Sequence, residues 1–221
     1  MKSKLGRETI ALRVAREFFD GAIVNLGGGI PTLASNFIPE GRTVIFQSEN
    51  GMLGFGPVEH EESKQSVYLM NASGQLAMPK PGMCFFDHAM SFAMIRGGHI
   101  DITVLGSLQV SEKGDLANWM IPERKVGVIG GGMDLAFGCK RVIVAMEHPT
   151  PKGALKILKE CSYPLTAPNC VDLIVTDLAV IKVTNEGLLL KEIAPGWKVE
   201  EVQEVTEPKL IVDEDLKEIT L

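Results

Sequence analysis

The sequence predicts an α/β fold: an open, mostly parallel sheet with covering helices and an antiparallel C-terminal part. Three observations carry this. Helix and strand patterns alternate twice within the first 50 residues. The strand-like segments are continuous apolar runs rich in β-branched residues, which read as buried strands. The last third changes to closely spaced β runs separated by short turns.

The elements follow in order. Residues 7–20 place Ile10, Ala11, Val14, Ala15 and Phe18 on one helical face, and Gly21 closes that helix. Residues 22–26 read as a strand. Gly27 to Gly29 form a loop, after which Pro31 can open a short helix. Residues 43–48 are the next strand. Asp87 N-caps a helix running through Ile95, and Gly97 and Gly98 stop it. Residues 101–105 form a strand ending at Gly106, and residues 141–146 form another. Residues 172–176 and 179–183 pair around Asp177. The turn Asn185-Glu186-Gly187 leads to Leu188-Leu189-Leu190 in a hairpin-like pattern. Residues 199–205 are a short helix. Neither repeats nor linker-like runs interrupt the chain, so residues 1–221 are expected to form one domain.

Composition narrows the partners. The chain of 221 residues is 45% apolar and 23% charged, with a mean hydropathy of +0.14. That apolar excess suggests a surface covered by another chain. The longest uncharged stretches are broken by Gly and Pro, so no membrane-spanning helix is expected. The N-terminus runs into a charged amphipathic segment and is not a secretory signal. The net charge of −6 argues against nucleic acid as a partner. Cys84, Cys139, Cys161 and Cys170 include no CxxC pair, and they read as free thiols of a reducing, cytoplasmic compartment. His60, His88, His99 and His148 lack any metal-binding spacing, so no metal site is expected. His99 and His148 border apolar runs and read as hydrogen-bonded structural residues.

Glu49 is the candidate reactive group. It ends the strand at 43–48 and precedes Asn50-Gly51, which puts its carboxylate on a sharp turn above the sheet. Open α/β sheets carry their chemistry at this end of the strands. Such a carboxylate can act as a base, a nucleophile or a metal ligand. An isolated strand-end acid is ordinary, and it is the surrounding motifs that give this one weight. Two glycine loops follow strand-like runs, Gly27-Gly28-Gly29 and Gly130-Gly131-Gly132. Their backbone N–H groups can face an oxyanion or a phosphate. Neither loop fits GxGxxG or a P-loop.

Taken together, these residues resemble class I CoA-transferases, specifically the β subunit of the 3-oxoacid or acetate–acetoacetate type. The resemblance runs through Val24-Asn25-Leu26-Gly27 with Pro31-Thr32, and Gln47-Ser48-Glu49-Asn50-Gly51. It continues through Phe86-Asp87, residues 91–101, Leu116-Ala117-Asn118-Trp119, Gly130-Gly131 with Met133-Asp134-Leu135, Met146-Glu147-His148 and residues 176–180. The Ser-Glu-Asn-Gly element is the family's catalytic signature.

The resemblance implies ping-pong transfer of CoA between an acyl-CoA and a carboxylic acid, with Glu49 as nucleophile and a glutamyl-CoA thioester as intermediate. It implies acyl-CoA as substrate, no tightly bound cofactor, and an α-subunit partner in an α2β2 heterotetramer. Asn25 would lie in the loop against the reacting carbonyl. Gly27, Gly28, Gly29, Asn50, Gly51, Gly130 and Gly131 would line the site or hold the oxyanion. Two departures touch the acyl pocket. Gly28 stands where the family has an apolar residue. In the second loop Val128 stands at a Gly position and Gly132 at an Ala position. A ligand-binding or regulatory homologue without catalysis, and an acyl-CoA hydrolase of the same fold, are the alternatives.

Overall fold

The computed structural model describes residues 2, 4–57 and 68–220. The strands of its main sheet are β1 (Ile23–Leu26), β2 (Ile45–Ser48), β3 (Met52–Phe55), β4 (Cys84–Phe85), β5 (Ile102–Leu105), β10 (Arg141–Ala145), β12 (Leu173–Val175), β13 (Ala179–Thr184), β14 (Gly187–Ile193) and β15 (Leu210–Glu218). These ten lie in the order β15-β14-β13-β12-β10-β5-β1-β2-β3-β4. The centre, β2-β1-β5-β10-β12, is parallel throughout. The intervening numbers belong to two small sheets apart from it. One joins β6 (Gln109–Ser111), β7 (Leu116–Ala117) and β11 (Ile157–Leu158), and the other pairs β8 (Met120–Ile121) with β9 (Val126–Gly127).

The central strands are apolar throughout because both faces are covered. On one face Ile102, Val104, Ile143, Ala145 and Leu173 pack with Ile10, Ala11 and Val14 of α1 (Arg7–Ala15). On the other, Leu105, Val142, Val144 and Ile174 pack with Ile95 of α3 (His88–Arg96) and Leu135 of α4 (Gly132–Gly138). Burying each of the Val, Leu and Ile side chains among them is worth about 1.5–3 kcal/mol of transfer free energy. The remaining helices are α2 (Ile30–Leu33) and α5 (Val199–Glu204). Among the described residues no helix is long and apolar enough to cross a membrane.

The mostly parallel sheet matches the sequence reading, with differences in detail. α1 ends at Ala15 and not near residue 20, because Glu17 and Phe18 bond to the carbonyls of Val14 and Ala15, three residues back. After β2 the chain makes no crossover. It turns back into antiparallel β3 and β4. The C-terminal third is antiparallel through β12, β13 and β14, but β15 adds in parallel. Residues 128–129 form no strand, and the second glycine loop hangs from β9 of the small ribbon. Helix α4 follows it, where the local residue pattern carries no helical signal.

Several buried polar groups away from the cleft are paired, whereas Thr103 Oγ1 is buried without a hydrogen-bond partner among the described residues. Arg13 bonds both oxygens of Glu192 at 2.8 and 3.0 Å and Glu17 at 2.7 Å, and Glu17 also meets Arg141 at 2.7 Å. His148 is fully buried, with Nδ1 2.9 Å from Thr176 Oγ1 and Nε2 2.8 Å from Thr206 Oγ1. Its structural reading holds. Burial pushes its pKa down to about 4, so it is neutral. His60 lies outside the described residues.

Candidate active site

Glu49 occupies a tight hairpin turn between β2 and β3. The Gly51 N–H closes the turn onto the Ser48 carbonyl at 2.9 Å. Gly51 has φ +115°, and a Cβ there would meet the Phe86 carbonyl oxygen at 2.1 Å. Only glycine fits both constraints. The Phe86 N–H donates to the Gly51 carbonyl at 3.0 Å, and Asn50 Nδ2 donates to the Met70 carbonyl at 2.7 Å. The Ala72 N–H donates to Ser48 Oγ at 2.9 Å. The turn is thus tied to the start of α3 and to the segment around residue 70.

Beneath the turn runs a buried amide chain. Asn25 Nδ2 donates to Gln47 Oε1 at 2.6 Å, and Gln47 Nε2 donates to Ser91 Oγ at 2.8 Å. This couples three neighbours: β1, β2 and α3. Asn25 is a residue of strand β1, not of the following loop. Its amide N–H2 is spent on Gln47.

Glu49 faces the second glycine loop. A Cβ on Gly131 would lie 2.2 Å from Glu49 Oε2, so the backbone of Gly131 abuts the carboxylate. Burial pushes the Glu49 pKa up. A backbone hydrogen bond from Gly131 and the charge of His88 oppose the shift, and Asp134 adds to it. Asp134 is itself held by Arg96 Nε at 2.6 Å. The result is a partly desolvated carboxylate set against a backbone N–H, with no cationic side chain among the described residues bonded to it.

The cleft over Glu49 has a volume of about 410 Å³ and sits at the carboxyl ends of β1, β2 and β5. Asn25, Gly27, Gly28, Glu49, Gly130 and Gly131 line it. Gly29, Asn50 and Gly51 are outside its lining. Gly29 precedes α2, and Asn50 and Gly51 shape the turn from behind. Glu49 is the one charged residue on its wall among the described residues.

Sequence reasoning missed Ser73, Gly106, Ser107 and Asn118, which also line the cleft. Gly106 ends a parallel strand beside β1, a usable signal. Asn118 Nδ2 donates to the Gly106 carbonyl at 3.1 Å, and Thr166 Oγ1 donates to Asn118 Oδ1 at 2.6 Å. These are contacts between distant segments, with no local signature.

The thiols are poor competitors as nucleophiles. Burial raises Cys139 and Cys170 to about 12 and Cys161 to about 11. Cys84 is exposed on strand β4. Among the described residues no group of three His, Cys, Asp or Glu could hold a metal ion. The geometry therefore offers a carboxylate poised as nucleophile or base beside backbone donors, in a cleft roomy enough for a small acyl group.

Known proteins match this fold and this chain. A family model described as coenzyme A transferase matches residues 7–205. The β subunit of the acetate CoA-transferase of Escherichia coli (strain K12) is 49% identical over 210 residues, covering 95% of this chain and 95% of that protein. A succinyl-CoA:3-ketoacid coenzyme A transferase subunit of Helicobacter pylori (strain ATCC 700392 / 26695) is 47% identical over 206 residues, 93% of this chain and 99% of that protein. Among solved structures, the acyl-CoA transferase apoenzyme of Escherichia coli O157:H7 superposes with a TM-score of 0.75 at 19% identity. That likeness covers 100% of this chain and 45% of the other, so this chain spans under half of that protein, and the likeness shows the fold. With a family match over most of its length and near-half identity to two proteins so named, this chain belongs to the coenzyme A transferase family.

Proposed function

We propose that this chain is the β subunit of a CoA-transferase that moves CoA between an acyl-CoA and a short carboxylic acid, with Glu49 as the nucleophile. The observation that carries the reading is the one carboxylate that the described residues place on the cleft wall, desolvated and set against the Gly131 backbone.

In this mechanism a Glu49 oxygen attacks the thioester carbonyl. The C–S bond breaks, CoA leaves as thiolate, and an acyl-glutamyl anhydride remains. The thiolate then attacks the glutamyl carbonyl, which frees the carboxylic acid as its carboxylate and leaves a glutamyl-CoA thioester. A second acid runs the two steps in reverse. Covalent catalysis divides one hard exchange into easier ones. Backbone N–H groups of the Gly27–Gly28 and Gly130–Gly131 loops would stabilise the tetrahedral oxyanions, a role for which their position on the cleft wall is suited. The desolvated setting would strengthen the Glu49 carboxylate as a nucleophile and slow hydrolysis of the anhydride.

An α subunit would complete the site, in an α2β2 assembly. Two relatives are named as single subunits of their enzymes, one of them as the β subunit. Phe85, Met90, Val128, Ile129 and Phe137, in the β4–α3 and glycine-loop–α4 regions bordering the site, are exposed apolar side chains that a second chain would cover. The acetate and succinyl-CoA:3-ketoacid relatives are almost equally similar, so the acid pair is left at the level of short acids.

The test is chemical trapping. Treated with acyl-CoA and no acceptor, the complex of both subunits should be inactivated by borohydride, which reduces a thioester but not a carboxylate. Peptide mapping should find the change at Glu49. Full resistance to borohydride during proven turnover, or a label on a cysteine, would overturn the nucleophile assignment.

A further inference from the structure

A second cavity, about 280 Å³, adjoins the cleft over Glu49 and shares Gly28, Gly106 and Ser107 with it. Its floor includes Ala145 and Met146, at the carboxyl end of β10, two strands beyond β1. Among the described residues the first cleft has one charged residue, an acid, whereas the second has Arg7, Lys156 and Glu147, two cations against one acid.

Both cations have donors to spare. No carboxylate among the described residues lies within ion-pair distance of Arg7, which is exposed at the start of α1. Its guanidinium reaches over the first glycine loop, where a Cβ on Gly29 would lie 3.6 Å from Nη2. Lys156 Nζ donates to the Glu147 backbone carbonyl at 3.2 Å, which leaves donors of the ammonium unused, while the Glu147 and Asp177 carboxylates act on its charge from nearby. Burial lowers this amine to about 8, which keeps it mostly protonated at neutral pH.

The partition between the cavities is low. A Cβ on Gly106 would lie 3.9 Å from the Gly28 carbonyl oxygen, so the first glycine loop and the end of β5 meet there without side chains to fill the gap. The residue at position 28 is the one that departs from the apolar residue of the resembled pattern.

We propose that the second cavity is an anion subsite, in which Arg7 and Lys156 hold the far carboxylate of a dicarboxylic acyl group whose reacting carbonyl faces Glu49. The identity of the ligand rests on the transferase reading. A carboxylate taken from water into a cavity needs charged donors, and guanidinium and ammonium groups supply the strongest. The phosphates of CoA sit at the far end of the pantetheine arm from the reacting sulfur, whereas this cavity shares a wall with the reacting cleft. A dicarboxylic chain of a few carbons matches that arrangement.

The test uses the complex of this chain with its α subunit, with acetyl-CoA as donor. Succinate is compared with butyrate, and glutarate with valerate. In Arg7→Gln and in Lys156→Met the ratio of kcat/KM for dicarboxylate over monocarboxylate should fall at least roughly tenfold, about 1.4 kcal/mol of discrimination. Arg7→Lys should recover most of it. A ratio within about twofold of wild type in both variants overturns the subsite. A raised KM for acetyl-CoA at an unchanged ratio also overturns it, by giving the cations to a phosphate. Arg7 is exposed, so its variant carries the test if Lys156→Met does not fold. Wild-type complex that transfers to no acid would refute the transferase reading instead. Calorimetry of glutarate against valerate on that complex then decides the subsite. Glutarate binding lost in Arg7→Gln supports it, and equal binding of the two acids overturns it.

Discussion

Glu17 and Glu49 are both partly buried glutamates, and both lose solvation in the fold, yet they end in opposite states. At Glu17 burial alone would raise the pKa, but hydrogen bonds and charge from Arg13 and Arg141 outweigh it and hold the carboxyl below the usual range. At Glu49 burial wins, because among the described residues only a Gly131 N–H and the nearby His88 oppose it. One carboxylate is a structural tie between α1 and the sheet. The other is left with unspent reactivity. Pairing, more than burial, separates the scaffold glutamate from the candidate nucleophile.

The contrast can be broken at either end. The largest effect is expected for Glu49→Gln, which removes the nucleophile. Transfer should drop by roughly 10³-fold or more while the chain folds as before, read by steady-state kinetics and a thermal melt. Activity within about tenfold of wild type would mean under about 1.4 kcal/mol of barrier change and would refute the assignment.

Arg13→Met should do the reverse. It takes from Glu192 its bonded arginine and leaves Glu17 with Arg141 alone, and losing one partner of a buried pair costs about 3–5 kcal/mol. Urea unfolding should register this, while kcat of the folded fraction stays near wild type. A stable variant would mean that the network adds little.

His148 sharpens the comparison through pH. Its folded pKa, about 4, lies below the ordinary value of 6.5, so the unfolded chain takes up the proton first. Its contribution is complete above pH 6.5 and is lost as pH falls toward 4. The total is on the order of 3 kcal/mol. Urea midpoints measured between about pH 7.5 and about pH 5 should fall, and the dependence should shrink in His148→Gln.

The smallest effect is expected at Gly131→Ala. Its φ of −87° suits alanine, so the backbone tolerates the change. The new Cβ would instead collide with Glu49 Oε2 and displace it. We expect a loss of kcat of roughly 10- to 100-fold with a stability change under about 1 kcal/mol. Unchanged kcat would show that the carboxylate does not need that backbone.

The parts legible in the sequence are those with local causes. The β1 and β2 runs, the Asn-Gly turn after Glu49 and the Asp87 cap, whose Oδ1 accepts from the Met90 N–H at 2.7 Å, all act within a few residues. What escaped depends on distant partners. Met52–Phe55 contains Gly54 at φ +78°, a poor strand signal, and pairs as β3 only because the turn folds it back. β4 is two exposed residues. β15 is mostly exposed and, after Leu210-Ile211-Val212, rich in Asp and Glu, so it lacks the continuous apolar run of the central strands, and its pairing with β14 is set in the folded chain. In the cleft, Glu49 and the glycines were visible, whereas Ser73 and Asn118 arrive from segments that only the folded chain brings together.

The glycines around Glu49 also set where this chain can drift. At Gly51 any side chain would strike the Phe86 carbonyl oxygen, and at Gly131 it would strike the carboxylate itself. No single-codon change is neutral at either place. Gly28 is different: its φ is ordinary, and a Cβ would meet only the Ser73 side chain, with the hydroxyl at 3.3 Å free to rotate away. In a scan of all single substitutions, position 51 should return no active variants, position 131 only impaired ones, and position 28 many. Lineages descending from this sequence would then carry their history of acid preference at residue 28, beside an unchanging reactive turn.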